Sequence, residues 1–234
     1  GAANVCHMLS ALGARISVAG FVGTDDAGRE LRNLLAAADV VSHCIVADES
    51  RPTTCKDRFI GRAAARHPNQ ILRVDREVRS PLSPDVESKL LDQITAEIGT
   101  SDIILISDYA KGVVTADVID VCLQVSKARD IPVIVDPKGS DFDRYGAVTL
   151  IKPNVSELEK VINQPLRTDE DVEAGLAAAL KILPAEAILL TRSEKGMSFL
   201  ERDGTRLLQK IRANLVPNPD SNRCFACRPI SQTM

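Results

Sequence analysis

Tryptophan is absent from this 234-residue chain, and aromatic residues make up only 3% of it. Its core must therefore be aliphatic, and at 44% hydrophobic and 26% charged the composition supports one large domain with a full core. No apolar run approaches the roughly 20 residues of a membrane span, and no secretory signal pattern opens the chain, so no membrane partner is expected. Neither sign of charge dominates: 29 Lys and Arg stand against 32 Asp and Glu, for a formal net charge of −3. That balance removes the electrostatic case for nucleic acid or an anionic surface. The three His, at 7, 43 and 67, show no ligand spacing and receive no role. Neither GxxxxGK[ST] nor GxGxxG occurs, which argues against P-loop and Rossmann readings. The six Cys, at 6, 44, 55, 122, 224 and 227, are scattered, and Cys6 and Cys122 fall in helical apolar patterns. Reduced thiols in a cytoplasmic setting are expected. Cys224 and Cys227 form a CxxC with no second pair and no nearby His, which argues against zinc or redox use.

What is present is an alternation of helices and strands. Val5, Leu9 and Leu12 recur at helical spacing and Gly13 supplies a stop; Ile16 to Val22 then reads as a strand. Asp25 can cap a helix carrying Leu31, Leu34 and Leu35, and Val40 to Val46 follows as a strand. This α-β-α-β order predicts parallel pairing with right-handed crossovers. From about 52 to 78 the pattern changes. Thr53 to Ile60 and Gln70 to Asp75 are short β segments that alternate charged and apolar residues and carry Lys56, Arg58, Arg62, Arg66 and Arg73. They predict a hairpin standing off the main sheet, a lid or edge element.

The alternation then resumes. Ser83-Pro84 opens a helix striped by Val86, Leu90, Leu91, Ile94 and Ile98. Ile103 to Ser107 reads as a strand buried on both faces of a parallel sheet. Thr115 starts a helix through Val118, Cys122 and Val125; Pro132 to Val135 and Val148 to Ile151 are strands. Asn154 and Thr168 cap two further helices, Ala187 to Leu190 is a strand, and Met197 to Glu201 with Thr205 to Ile211 flank a hairpin turn at Asp203-Gly204. Residues 212–234 hold Pro217, Pro219 and Pro229 with no periodicity, and are expected to be a poorly ordered tail.

Open α/β sheets bind ligands outside the carboxyl ends of their strands. After the strand at 103–107 come Asp108, Tyr109 and Lys111; after 132–135, Asp136, Pro137 and Lys138; after 148–151, Lys152, Asn154 and Glu157; after 187–190, Thr191, Arg192, Ser193 and Gly196. Carboxylates and an Asn suit Mg²⁺, and lysines with helix N-termini suit phosphates. Together they point to a nucleoside triphosphate with Mg²⁺ and an acceptor. Bland alternatives stand beside each residue: Asp108 and Asp136 can cap a following helix, Asn154 caps its own, and the hairpin cations can form a solvated face.

These residues, in this order, resemble the ribokinase (PfkB) family of carbohydrate kinases. Gly1-Ala2-Ala3-Asn4 is similar to the end of its glycine-rich sugar-binding signature, Asn154-Val155-Ser156-Glu157 to its N-x-x-E motif, and Thr191 to Gly196 to its nucleotide-side strand end. Ser107 to Gly112, Asp136-Pro137-Lys138-Gly139 and Gly196-Met197-Ser198 narrow the likeness to heptose 7-phosphate kinase domains of bifunctional ADP-heptose synthesis enzymes. The resemblance implies a ribokinase-like α/β fold, a mostly parallel central sheet flanked by helices, with a small β lid hairpin. It implies ATP and Mg²⁺ as co-substrate and cofactor, and phosphorylation of a sugar-phosphate anomeric hydroxyl on the route to lipopolysaccharide heptose. The implied substrate side is Gly1, Asn4, Lys56, Arg58, Arg73, Asp108 and Lys111. The implied nucleotide and phosphate side is Asp136, Lys138, Asn154, Thr191, Ser193 and Gly196, with Glu157 for the metal. A homodimer through the lid hairpin is a further expectation.

Two departures belong to the same reading. The family's first strand is expected before Gly1, and its D-x-x-G-A-G-D-like segment, with the anion hole and the general base, is expected after Ile211. Residues 212–234 contain one acid, Asp220, without glycine neighbours, so no catalytic base is assigned. The expectation is an incomplete kinase domain over 1–211, an inactive fragment with apolar surface left open around Ile103–Ile106. Two alternatives stay open: another PfkB-type sugar or nucleoside kinase, and a non-catalytic binder of sugar phosphate or nucleotide.

Overall fold

The computed structural model describes residues 1–61 and 69–204, and residues 206–209 as backbone. Helix α1 (Ala2–Ala11) leads to two short strands, β1 (Ile16–Ser17) and β2 (Gly20–Gly23). Helix α2 (Asp26–Ala37) follows, then β3 (Val40–Val41) and β4 (Ile45–Asp48). The two strands expected at 16–22 and 40–46 are thus each broken in two. Both pairings across the break are parallel, β1 with β3 and β2 with β4, as the α-β-α-β order requires. Asp25 caps α2, accepting from the Gly28 amide, and Leu35 faces inward while Leu34 is exposed.

Strands β5 (Cys55–Gly61) and β6 (Asn69–Arg76) form a separate two-stranded antiparallel sheet, the expected hairpin. Arg62 and Arg66, also expected in this hairpin, lie outside the described residues. The remaining strands make one six-stranded sheet of order β12-β11-β10-β9-β8-β7. Its members are β7 (Ile104–Ser107), β8 (Val133–Asp136), β9 (Leu150–Ile151), β10 (Ala187–Thr191), β11 (Met197–Glu201) and β12 (Arg206–Gln209). Strands β7 to β10 run parallel in sequence order, and β11 and β12 are antiparallel additions. The proposed tail at 212–234 lies outside the described residues.

Helices α3 (Pro84–Ile98), α4 (Ala116–Arg129), α5 (Val155–Ile162) and α6 (Asp169–Ile182) flank this sheet. The main apolar cluster joins Leu90, Ile94 and Ile98 of α3, Ile119 and Cys122 of α4, and Leu158, Val172 and Leu176 to the strand residues Val133, Val135, Ile151, Ile188 and Leu190. A second, smaller cluster holds Cys6, Val22, Leu35, Val40 and Ile45. The expectation for β7 is overturned in part. Ile104 and Ile106 are buried, but Ile103 is 50% and Leu105 41% exposed, because β7 is the edge of its sheet and only one face is covered. An apolar run identifies a strand without telling whether a neighbour covers both of its faces.

Candidate active site

The four parallel strands deliver their carboxyl ends to one cleft of about 150 Å³, lined by Asp108, Tyr109, Asp136, Pro137, Lys138, Lys152, Asn154, Glu157 and Thr191. Each side chain reaches it by a local device. Asn154 caps α5 reciprocally with Glu157: its Oδ1 accepts from the Glu157 amide at 2.9 Å, and Glu157 Oε2 accepts from the Asn154 amide at 3.0 Å. The cap also holds the chain beside β10, where the Thr191 amide donates to the Pro153 carbonyl at 2.9 Å. Asp136 closes β8 and meets Lys152 Nζ at 2.9 Å. Lys138 Nζ stands 3.6 Å from Glu157 Oε1, too long for a hydrogen bond.

Asp108 differs from the other carboxylates. It is buried, and all its visible contacts are internal. Oδ1 accepts from the Ala110 amide at 2.7 Å, while Oδ2 accepts from Tyr145 Oη at 2.8 Å and from Arg144 at 3.3 Å. Tyr145 Oη in turn accepts from the Lys138 amide at 3.2 Å. Burial, with the Asp108 carboxylate beside it, pushes the Tyr145 phenol well above its ordinary range, so it stays a donor. The Ala110 backbone takes positive φ at 52°, the turn that lets its amide reach back to Asp108.

The donor set suits Mg²⁺ held largely through water: hard oxygens from Asp136, Asn154 and Glu157, with Glu157 Oε1 not committed to a hydrogen bond. Lys138 and Lys152 supply the positive charge a polyphosphate needs.

The family model for pfkB family carbohydrate kinases matches residues 1–218. The chain belongs to that family. Relatives include Bifunctional protein HldE of Gluconacetobacter diazotrophicus, 41% identical over 92% of this chain and 44% of its own length. Bifunctional protein HldE of Hyphomonas neptunium is 42% identical over 87% of this chain and 41% of its own. The chain therefore spans less than half of the curated relatives it matches. Among solved structures, Arabidopsis thaliana ribokinase complexed with ribose and ATP superposes with TM-score 0.67 at 17% identity, covering 89% of this chain and 65% of that one. Phosphofructokinase-2 from Escherichia coli superposes with TM-score 0.69 at 20% identity, over 88% of this chain and 64% of that one. These likenesses show the ribokinase-like fold.

In this pfkB chain the cleft gathers Asp108, Asp136, Lys138, Asn154, Glu157 and Thr191 from the expected set. The others lie elsewhere. Gly1 and Asn4 open α1, where the Asn4 amide contacts Met8 Sδ. Ser193 and Gly196 form the β10–β11 turn, both at positive φ, held from beneath by buried Arg192 through Ser198 and Asp169. Lys111 turns to Glu77, which also meets Arg79 at 2.8 Å and Lys56 at 3.8 Å. Lys56 and Arg73 both pair with Asp75, at 3.0 and 2.8 Å. Sequence reasoning missed Glu77, Arg144 and Tyr145. No motif marks them; a buried Tyr in a chain this poor in aromatics was the available hint.

Two outcomes follow. Tyr145→Phe orphans the Lys138 amide and removes a donor to Asp108, and should lower unfolding free energy in urea by about 1–3 kcal/mol with secondary structure intact. The cations Lys111 and Arg79 hold the Glu77 carboxyl below the usual range. A depressed folded pKa contributes stability that is present above the unfolded pKa and is lost as pH falls through the folded value. The stability difference between the parent and Glu77→Gln should therefore be full at neutral pH and shrink below about pH 4 in denaturation series.

Proposed function

We propose that this chain binds ATP with Mg²⁺ at the ends of β8, β9 and β10 and a phosphorylated sugar beneath the hairpin. That arrangement serves phosphorylation of the anomeric hydroxyl of heptose 7-phosphate, a step toward ADP-heptose and lipopolysaccharide core. The observation that carries the reading is the convergence of four strand ends, with lysines and oxygen donors, on one cleft. The identity with two HldE proteins supports the heptose assignment. Mg²⁺, when bound, would neutralise phosphate charge, and Asp136, Asn154 and Glu157 are the residues that would hold it. Lys138 and Lys152 would orient the phosphates, and the Asn154 cap would keep Glu157 in place. ATP use and free thiols fit the cytoplasm.

The hairpin supports a phosphorylated substrate. Arg58 pairs directly with Arg73 across the strands, and Lys56 with Asp75, so these four share one face. Like charges opposite one another are unfavourable, and among the described residues Arg58 has no carboxylate partner. Glu77 meets both Lys56 and Lys111, which turns that face toward the β7 end of the cleft. A sugar phosphate relieves the repulsion by charge-assisted hydrogen bonds. The opposite face presents Phe59, Leu72 and Val74, with Ile71 at a bulge and 75% exposed. We assign it to a second copy of the chain, pairing hairpin to hairpin.

Calorimetry should show Arg58→Ala and Arg73→Ala each weakening heptose 7-phosphate by about tenfold or more while leaving Mg·ATP binding unchanged. Equal binding of heptose with and without its phosphate would contradict the clamp. In sedimentation, Ile71→Lys with Phe59→Lys should convert a dimer to a monomer; an unchanged dimer would place the interface elsewhere.

A further inference from the structure

The turn joining β3 to β4 faces the last turns of α3, and three different donors meet there, none of them lining the cleft. His43, Cys44 and Glu97 place an imidazole nitrogen, a thiol sulfur and a carboxylate oxygen within 4.8 Å of one another. His43 Nε2 lies 3.0 Å from a Glu97 oxygen, and Cys44 Sγ donates to the Gln93 carbonyl at 3.5 Å. The group grades from a buried sulfur to a Glu97 side chain 30% exposed and a His43 side chain 59% exposed, which leaves an entry path from solvent. One helical turn before Glu97, Gln93 Oε1 is buried without a hydrogen-bond donor among the described residues, so this end of α3 carries a spare acceptor.

A surface His–Glu pair alone is worth little and needs no sulfur beside it. Cys44 Sγ is buried and stands with the His43 imidazole and the Glu97 carboxylate in one group, so a sulfur, a nitrogen and an oxygen donor converge where an ion could meet all three.

We propose that His43, Cys44 and Glu97 form a binding site for a borderline transition-metal ion, Zn²⁺, with water completing a four-coordinate shell. Mixed nitrogen, sulfur and oxygen donors select such an ion over Mg²⁺ or Ca²⁺. Bonds of about 2.0–2.3 Å hold tetrahedral ligand atoms roughly 3.3–3.8 Å apart, so donors within 4.8 Å of one another need to draw in by about 1.5 Å at most. On binding, neutral His43 gives its Nε2 lone pair, Glu97 is already anionic, and Cys44 releases its proton to solvent as the sulfur–metal bond forms. The ion braces the small apolar cluster, through Val40 and Ile45 on either side of the turn, against α3 of the main one.

The test uses the whole chain, freed of metal and titrated with Zn²⁺ and, separately, with Co²⁺, whose thiolate charge-transfer absorption reports sulfur ligation. A second thiol source, Cys224 and Cys227, is removed in a Cys224→Ser/Cys227→Ser variant. The expected result is one ion per chain, with the cobalt–thiolate band retained in that variant. His43→Ala, which alters an exposed side chain, and Cys44→Ser should each lower Zn²⁺ affinity by about tenfold or more, and Cys44→Ser should abolish the band. A band that survives Cys44→Ser, a band lost with Cys224 and Cys227, or no Zn²⁺ uptake would overturn the site.

Discussion

The buried carboxylate of Asp108 is the contact on which the cleft depends. A carboxylate removed from water costs several kcal/mol unless its lone pairs are satisfied, and here three groups from two segments satisfy it. The Ala110 amide bends the loop after β7 back onto it, Tyr145 reaches it from the short helical turn after β8, and Arg144 reaches it while also donating to the Val114 carbonyl. Tyr145 then passes the constraint to the Lys138 amide. Two adjacent strand ends are thereby set relative to each other before any ligand arrives. On this account Asp108 positions the site, and groups that meet a substrate are drawn from its neighbours.

A second set of contacts joins the hairpin to that platform. Arg51 is buried, donates to the Ser80 and Pro81 carbonyls, pairs with Asp48 and lies over the Phe21 ring. Gly112 is at positive φ, and a Cβ there would fall 2.1 Å from the Ser80 carbonyl oxygen, so the loop after β7 packs on the hairpin's exit with no room for a side chain. With Glu77 bridging Lys56 and Lys111, the hairpin's charged face is coupled to the loop after β7 by ion pairs. Its apolar face is left outward.

Much of the cleft was legible because strand-end chemistry is local in sequence. Asp136, Lys138, Asn154, Glu157 and Thr191 each follow an apolar run, and the parallel order of β7 to β10 brings those runs side by side. Asn154 and Glu157 show why a bland reading and a functional one coexist: the capping box is real, and it is what aims Glu157. What escaped was long-range pairing. Nothing near Lys111 or Lys56 in sequence announces Glu77, and nothing near Asp108 announces Tyr145, 37 residues on. The break at 18–19 was missed because apolar Val18 and Ala19 continue through it, and the break at 42–44 because Ser42, His43 and Cys44 include neither Gly nor Pro to mark a turn. The second break is also where His43 and Cys44, unremarkable by spacing, meet Glu97 from another element.

The central claim is that four strand ends act as one nucleotide and sugar-phosphate site. Hydrogen-exchange mass spectrometry of the chain with and without a Mg²⁺-bound, non-hydrolysable ATP analogue tests it most directly. The account predicts joint protection of residues 136–138, 152–157 and 191–196, with 108–112 and the hairpin strands gaining protection only when heptose 7-phosphate is added. Nucleotide that protects a different part of the chain, or that leaves these segments unchanged at saturating concentration, would contradict it.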